Sequence, residues 1–164
     1  MMTRTLMMAV FALGLPAGTA SAFSDPPQAV APASQAEVSQ VLRGYREAIE
    51  TLDGDAGSAF FWPDGRVYEQ GGVEGTFGEY LAHHLGPELK AFSAFRFSDY
   101  ASQVTVAGDV AYATETYVYR ITFSDAARPA VERRGVATSV LERRGGVWRI
   151  VSYHSSARAP RPAA

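Results

Sequence analysis

Two hydrophobic periodicities divide the chain. Apolar residues first recur every three or four positions, the spacing of one helix face, at Val38, Val41, Leu42, Tyr45, Ile49 and Leu52. A second helical face carries Phe77, Tyr80, Leu81, His84 and Leu85. From Phe95 onward apolar and polar residues alternate, which predicts β-strands. The pattern therefore predicts helices in the first half of the chain and a sheet in the second half.

Capping residues set the ends of the two helices. Ser34 with Glu37, and Thr76 with Glu79, have the spacing of capping boxes, in which each side chain satisfies a free amide of the first turn. Asp53-Gly54-Asp55 ends the first helix, and Gly86-Pro87 stops or kinks the second.

The remaining elements follow from turn residues. We expect a short helical turn at Phe60 and Phe61, and a short strand at residues 66–70 that ends at Gly71-Gly72. Four longer strands are expected at residues 95–106, 110–123, 131–143 and 147–156. Hairpin turns at Gly108-Asp109 and Gly145-Gly146, and a loop at residues 124–129, join them.

This order of elements predicts an α+β fold. A helix, a short helix, a strand and another helix precede a meander of four strands, and such segregation is typical of α+β domains. A twisted antiparallel sheet has one face to bury, and the apolar stripe of the first helix can cover it.

The N-terminus has the pattern of a secretory signal peptide at residues 1–22. Arg4 is followed by an apolar stretch at residues 5–15, and Ala20-Ser21-Ala22 is a small-residue cleavage site. The apolar stretch is shorter than a membrane span, although a retained anchor is the alternative. We therefore expect a periplasmic or secreted protein.

Three further segments follow the predicted signal peptide. Residues 23–35, rich in Pro and Ala, predict a flexible linker, residues 36–157 a single domain and residues 158–164 a disordered tail. The chain has no cysteine, so the domain depends on its core and not on disulfides.

Charge and motifs exclude several function classes. The formal net charge is −2, and it becomes −3 when cleavage removes Arg4 and no acid. The absence of a basic stripe argues against nucleic acid and anionic membranes as partners. The sequence has no dinucleotide fingerprint, phosphate loop or nucleophile elbow, so no cofactor is implied.

Several segments resemble the nuclear transport factor 2-like superfamily, and within it the SnoaL-like domains. They are YREAIETLDGD followed by FF and PDGRVYE, GGVEGTFGEYLAHHL, and WRIVSYHSS, which also resembles the end of the association domain of calcium/calmodulin-dependent kinase. The resemblance covers residues 36–157. It implies a cone-shaped, curved antiparallel sheet wrapped on a long N-terminal helix, and a homodimer. This superfold hosts enzymes, binding modules and assembly domains alike.

Similarity to the ketosteroid isomerases of this superfamily implies two catalytic residues. Their oxyanion-donating tyrosine falls on Tyr45 and their carboxylate base on Glu69. Such a pair can remove a proton next to a carbonyl and stabilise the enolate. The family's second donor, a protonated aspartic acid, falls on Ala137 or Thr138, so no acid is present there. The alternative is a core tyrosine and a solvated strand end.

The three histidines are further candidates for chemistry. We expect His84 to point inward, His83 to lie at the helix edge, and His154 to lie beside the cavity as a third catalytic residue. His84, His154 and Glu69 could form a metal site. Adjacent histidines on a helix diverge by about 100°, so His83 and His84 predict no shared metal ion. The alternative is a structural, hydrogen-bonded histidine.

Glu115 lies in the middle of a predicted strand, on one face with Tyr117 and Tyr119. It either lies on the solvated face, paired with Arg133, Arg134 or Arg149, or inside the cone, where Arg149 or Arg134 would bind an acidic ligand. The sequence leaves both open. Aromatic residues that could line the pocket are Trp62, Tyr68, Tyr80, Phe92, Phe95 and Phe97.

Three functions are compatible with these residues. The first is an exported domain that binds a small, partly apolar molecule in its cone, with or without acid–base chemistry of the isomerase, cyclase or hydrolase kind. The second is a non-catalytic oligomerisation or binding module. The third is a periplasmic metal-binding protein that uses His84 and His154.

Overall fold

A long helix packs across one face of a curved sheet. The computed structural model describes residues 32–160, and the predicted signal peptide lies outside them. The helical elements are α1 (Pro32–Glu50), α2 (Gly54–Ser58), α3 (Phe77–Tyr80), a π-helix (Leu81–Leu85) and α4 (Gly86–Ala91). The strands are β1 (Phe61–Glu69), β2 (Gly72–Thr76), β3 (Phe92–Ala107), β4 (Val110–Phe123), β5 (Val131–Arg144) and β6 (Val147–Arg158).

The six strands form one sheet in the order β2-β1-β6-β5-β4-β3. All neighbours are antiparallel except β1 and β6, which are parallel. The predicted α+β class and the four-strand meander are confirmed, and so are the turns at Gly108-Asp109 and Gly145-Gly146. Both Gly145 and Gly146 have positive φ, at 59° and 83°, which suits a tight hairpin turn.

The core lies between α1 and the concave face of the sheet. The predicted apolar stripe of α1 is buried at Val38, Leu42, Tyr45 and Ile49. It packs with strand residues of the same cluster, including Val67, Ala111, Ala113, Leu141 and Ile150. No helix within residues 32–160 is long and apolar enough to cross a membrane.

The start of α1 differs from the prediction. The helix begins at Pro32, so it includes residues 32–35 of the predicted linker, and Ser34 is buried inside it rather than capping it. Proline suits a first helical turn, because its φ is already helical and no partner is needed for its missing N–H. Glu37 instead accepts a 3.2 Å hydrogen bond from Nε1 of Trp148. The second capping box, between Thr76 and Glu79, is confirmed.

The segment before α3 contains more strand than predicted. Phe61 opens β1, so the predicted helical turn there is wrong. Phe61 is buried and pairs with Ile150 of β6. The strand β2 was not predicted. Gln70 and Gly71 form its turn with positive φ values of 50° and 89°, so the glycine pair that predicted a strand end belongs to a hairpin.

Two β-bulges change which side chains face inward. On β6, Val151 is the extra residue, because Val140 pairs with Ser152 and Leu141 pairs with Ile150. On β3, Ser98 pairs with Val118 and Ala101 with Thr116, so an extra residue lies at 99–100. A bulge shifts the two-residue alternation by one position and re-aims the side chains that follow.

The second helix passes through a π-turn where the sequence predicted a stop or kink. The amide of Gly86 donates to the carbonyl oxygen of Leu81, five residues back. A Cβ atom on residue 86 would lie 2.5 Å from that oxygen, so this close approach requires glycine. Pro87 then sits in the first turn of α4, where a proline is tolerated.

Candidate functional site

An open cavity lies between α1, the α3–α4 segment and the concave face of the sheet. Its empty volume, including the mouth, is about 790 Å³. Aromatic residues contribute much of its wall, among them Tyr45, Phe92, Phe95, Phe97, Tyr117, Tyr119 and Tyr153. Such a mixture of apolar walls and a few polar groups is typical of small-molecule sites.

Glu69 forms one polar group of the cavity at the end of β1. The Tyr80 hydroxyl donates a 2.5 Å hydrogen bond to Oε2 of Glu69. Tyr80 is buried and Glu69 is half-buried, so the pair forms part of the wall. Burial, together with the nearby carboxylate of Glu69, raises the pKa of Tyr80, so its hydroxyl keeps its proton and stays a donor.

Tyr45 lies in the same part of the cavity. Its ring makes edge contacts with Phe61, Phe77 and Tyr153. Burial, followed by the charge of Glu69, raises the pKa of Tyr45, which keeps the phenol neutral. Within residues 32–160 no side chain hydrogen-bonds to the Tyr45 hydroxyl. The hydroxyl oxygen is also absent from the fully buried side-chain atoms that lack a partner, so it is accessible from the cavity. It is therefore free to donate to a bound molecule.

Glu115 forms the second polar group, deeper in the cavity. It is only 6% exposed, and Oε1 accepts a 2.6 Å hydrogen bond from the Tyr100 hydroxyl. Ser139 donates a longer bond of 3.5 Å to Oε2. Burial raises the pKa of Glu115, while Tyr100, Ser139 and the charge of Arg46 act in the opposite direction. The guanidinium of Arg46 lies 4.1 Å from the centre of the Tyr100 ring.

The two carboxyl groups lie on one row across the sheet. Glu69 pairs with Ser155, Ser155 with Ala137, and Ala137 with Glu115. Because residues in register share a face, both acids point to the concave side. The small side chain of Ala137 leaves room between them. Of the two positions predicted for Glu115, the structure has the one inside the cone. Its cross-strand neighbours are Ala137 and Ser102 rather than an arginine.

Tyr117 shares the face of Glu115, as predicted, and so does Tyr119. Tyr117 lies opposite Gly135 on β5, and its ring occupies the space that a Cβ on residue 135 would take. Burial raises the pKa of Tyr117 and of Tyr153, so both phenols remain neutral donors in the wall.

His154 does not lie beside the cavity, and that expectation is wrong. Trp148 and Ile150 of β6 point into the core, which by simple alternation would carry His154 inward. The bulge at Val151 shifts the alternation, so Tyr153 and Ser155 face the cavity and His154 is exposed on the outer face. Among the described residues, no hydrogen bond or ion pair joins His154 to Glu69 or to His84.

Three other candidates also lie outside the cavity. Tyr68 pairs with His154 on the outer face of the sheet. Trp62 donates from Nε1 to the carbonyl of Glu142 at 3.0 Å. Arg149 lies over the Trp62 ring, 5.0 Å from its centre, so it does not bind a ligand in the cone. Of the predicted aromatic lining, Tyr80, Phe92, Phe95 and Phe97 are found there.

His83 and His84 approach one carboxylate on β2 instead of the cavity. Glu74 Oε2 lies 2.9 Å from Nε2 of His83 and 3.3 Å from Nδ1 of His84. The expectation that adjacent histidines cannot face a common partner is wrong here, because both rings reach the same oxygen of Glu74. His84 is half-exposed, and its ring centre lies 5.3 Å from that of Tyr80.

Sequence reasoning missed four cavity residues, namely Tyr100, Tyr153, Arg46 and Glu88. Tyr100 turns inward only because of the bulge at Asp99, whose φ is 50°. Glu88 lies at the rim of the cavity. Arg46 follows Tyr45 on α1, and its position next to a predicted site residue was the one sequence signal for it.

The cavity wall therefore contains three acids, Glu69, Glu88 and Glu115, and one base, Arg46.

The pattern that defines the SnoaL-like domain matches residues 38–160. The chain belongs to the SnoaL-like domain family. Similar folds occur in a nuclear transport factor 2-like protein from Salmonella enterica serovar Typhimurium, with 20% identity over 80% of this chain and 94% of that one, and a TM-score of 0.67. A candidate ketosteroid isomerase from Shewanella frigidimarina has 21% identity over 71% and 92%, with a TM-score of 0.61.

A third solved structure is the hexachlorocyclohexane dehydrochlorinase LinA-type3 from Novosphingobium barchaimii. It has 16% identity over 80% of this chain and 91% of that one, with a TM-score of 0.63. At these identities the likeness establishes the nuclear transport factor 2-like fold of this SnoaL-like domain. Among curated proteins no sequence matches this chain.

Proposed function

We propose that the cavity binds a small, neutral, partly apolar carbonyl compound and that Glu69 removes a proton from the carbon next to the carbonyl. The observation that supports this most is the cross-strand row that aims Glu69 and Glu115 into one aromatic cavity. A carboxylate beside an apolar cavity can act as a general base for such a proton.

Tyr45 and Glu115 are the groups that would stabilise the enolate. As Glu69 takes the proton, the C–H electron pair forms a new C=C bond and the π pair of the carbonyl moves to its oxygen, where negative charge develops. The free hydroxyl of Tyr45 can donate to that oxygen. Burial favours the protonated form of Glu115, and a neutral carboxylic acid can donate a second hydrogen bond. Glu69 then returns the proton to carbon as the carbonyl re-forms. In a substrate with a leaving group on the β-carbon, that group instead departs with its electron pair as the carbonyl re-forms, and Glu69 keeps the proton.

The charges of the cavity favour a neutral substrate. Even with Glu115 protonated, Glu69 and Glu88 outnumber Arg46, so a carboxylate or phosphate ligand would be repelled. The wall of Phe92, Phe95, Phe97 and several tyrosines suits a ring system. Relatives of the same fold include a candidate ketosteroid isomerase and a hexachlorocyclohexane dehydrochlorinase, so this fold accommodates molecules of that size.

The test measures exchange of the α-protons of 2-tetralone, a neutral aromatic ketone, in D₂O by proton NMR. The proposal predicts exchange above the buffer rate for the wild type and a loss of about 10²- to 10⁴-fold for Glu69→Gln. Glu132→Gln, an exposed acid outside the cavity, is the matched control and should retain full activity. Wild-type exchange at the buffer rate, or full activity in Glu69→Gln, would contradict the proposed role.

We also propose that the domain is exported, on the basis of the cleavage pattern in residues 1–22. N-terminal sequencing of protein from a periplasmic fraction should begin at Phe23. Recovery of an uncleaved chain from the cytoplasm would contradict export.

We propose a homodimer in which the outer face of the sheet forms the interface. Tyr112 and Val140 pair on adjacent strands there and are 56% and 37% exposed, with Val136 nearby at 44%. A second copy of the chain would bury these apolar side chains. Multi-angle light scattering should give a dimer that Val140→Asp converts to monomer. A wild-type monomer at micromolar concentration would contradict this proposal.

A further inference from the structure

A second group of chemically active side chains lies outside the cavity, where β2 meets the π-helix. Oε2 of Glu74 lies 2.9 Å from Nε2 of His83 and 3.3 Å from Nδ1 of His84. The three donor atoms lie within 4.8 Å of one another. None of the three residues lines the cavity, so the group is separate from the chemistry proposed for Glu69.

The backbone is built to bring the two histidines together. On an α-helix, neighbouring side chains point about 100° apart, which normally prevents a shared ligand. Residues 81–85 instead form a π-helix, closed by the bond from the Gly86 amide to the Leu81 carbonyl. π-Bulges occur frequently at functional sites. Only glycine fits at position 86, so the sequence itself supports this turn.

The second nitrogen of His84 faces a further carboxylate. Nε2 of His84 lies 3.6 Å from Oε1 of Glu88. In protein metal sites a ligating histidine usually donates its other N–H to a carboxylate or backbone carbonyl, which fixes its tautomer and orientation. A small shift of the Glu88 side chain would give His84 this arrangement, with Nδ1 directed at Glu74.

We propose that Glu74, His83 and His84 bind a divalent first-row transition metal ion, with Zn²⁺ as the representative. Two imidazoles and a carboxylate form an established ligand set for Zn²⁺. Bonds of about 2.0–2.1 Å in a tetrahedral site separate ligand atoms by roughly 3.3 Å. The two Glu74–histidine distances are already close to this value, and small rotations of the side chains would admit the ion.

The bound ion would cross-link β2 to the π-helix. Glu74 is well shielded at 14% side-chain exposure, whereas His83 is 53% exposed, so the ion can enter from solvent and keep a water as its fourth ligand. Glu88 lies 3.6 Å from His84 and also at the cavity rim, and Tyr80 lies beside His84. Metal binding would therefore hold the segment that borders the cavity in place.

The test is Zn²⁺ titration of the full chain, purified without a histidine tag. Isothermal titration calorimetry measures the binding, and elemental analysis measures the metal content of the loaded protein. Because the chain has only three histidines, His154→Gln is a matched control on the outer face. The proposal predicts one Zn²⁺ per chain. His83→Gln, His84→Gln and Glu74→Gln should each weaken the affinity about tenfold or more, while His154→Gln should not change it.

Two further readouts separate this site from surface binding and from misfolding. Co²⁺ should give the visible absorption bands of a four-coordinate ion, and these bands should disappear on addition of Zn²⁺. Circular dichroism of each variant without metal should match the wild type. Absence of stoichiometric binding in the folded wild type, or equal weakening by His154→Gln, would overturn the proposal. The metal-site proposal is tested by Zn²⁺ binding alone, so the activity of Glu69→Gln in ketone exchange tests only the proposed function.

Discussion

Glu115 on β4 lies directly opposite Ala137 on β5, so the two side chains share one face of the sheet. The resemblance to ketosteroid isomerases assigned the second oxyanion donor to Ala137 or Thr138, where this chain has no acid. The structure supplies a buried carboxyl group from the neighbouring strand, on the same face of the same row. A carboxyl group can thus reach this part of the cone from β4 instead of β5.

Replacement of Glu115 by Gln should change the pH dependence of stability. Burial raises the pKa of Glu115 in the folded chain above its unfolded value. Its contribution to stability is therefore complete below the unfolded pKa and is lost as pH rises through the folded pKa. Gln does not ionise, so the free energy of unfolding of Glu115→Gln relative to wild type should rise as pH increases from the unfolded pKa of Glu115 through its raised folded pKa.

Urea denaturation at several pH values measures this difference. Glu132→Gln, which removes an exposed acid paired at 3.8 Å with Arg120, is the control and should follow the wild type at every pH. A pH-independent difference between Glu115→Gln and the wild type would show that Glu115 titrates alike in the folded and unfolded chains.

Two tyrosines close to Glu69 should respond differently to loss of the hydroxyl. Tyr80→Phe removes the 2.5 Å bond to the Glu69 carboxylate and should cost about 1.5–3 kcal/mol of stability. The Tyr45 hydroxyl has no partner among the described residues, so Tyr45→Phe should cost less than about 1 kcal/mol. Its effect should instead be on ketone exchange, slowed about 10²- to 10³-fold.

Thermal unfolding and exchange kinetics of the two variants provide the comparison. If Tyr45→Phe exchanged ketone protons as fast as the wild type, Tyr45 would be a wall residue without a catalytic role. If Tyr80→Phe were as stable as the wild type, the bond to Glu69 would contribute nothing to the fold.

Alternation and turn residues were sufficient for most of the fold. The strands β3 to β6 were predicted to within three residues at each end, because long alternating runs and glycine turns are local signals. The bulges at Val151 and at Asp99-Tyr100 depend on pairing with a neighbouring strand, which a local pattern does not encode. For that reason His154 was assigned to the wrong face and Tyr100 was missed.

The site was predictable in part. Tyr45 and Glu69 came from a resemblance, and both line the cavity. The side of Glu115 could have been inferred from Ala111 and Ala113, small residues of the same face that fit beneath a helix. The convergence of His83 and His84 on Glu74 could not, since it requires both the unpredicted strand β2 and a π-turn whose only local sign is Gly86-Pro87.

Gly135 should tolerate no side chain. A Cβ there would overlap the ring of Tyr117, which is held between strands and other aromatic residues. Gly135→Ala should therefore destabilise the fold by about 1–3 kcal/mol through overpacking. Gly78→Ala is the control, because no atom lies within 4 Å of its Cβ position, and it should be neutral or stabilising by up to about 1 kcal/mol. Urea midpoints compare the two, and equal midpoints would contradict this packing.

The charge of the cavity should select between ligands of the same shape. 2-Naphthol is neutral and resembles the enol of 2-tetralone, whereas 2-naphthoate has a similar ring system and a negative charge. Because Glu69 and Glu88 outnumber Arg46 even when Glu115 is protonated, 2-naphthol should bind at least about tenfold more tightly than 2-naphthoate at neutral pH. Fluorescence titration measures both affinities. Tighter binding of the carboxylate would show that Arg46 dominates the cavity.

Chemical rescue of Glu69→Ala tests the central claim most directly. Truncation leaves a space at the cavity wall that a small carboxylate can enter, so added formate should restore α-proton exchange of 2-tetralone in proportion to its concentration. Added chloride at equal ionic strength should not. The account predicts an inactive variant that formate reactivates. A variant that is active without formate, or that formate fails to reactivate while 2-naphthol still binds, would contradict the assignment of Glu69 as the base.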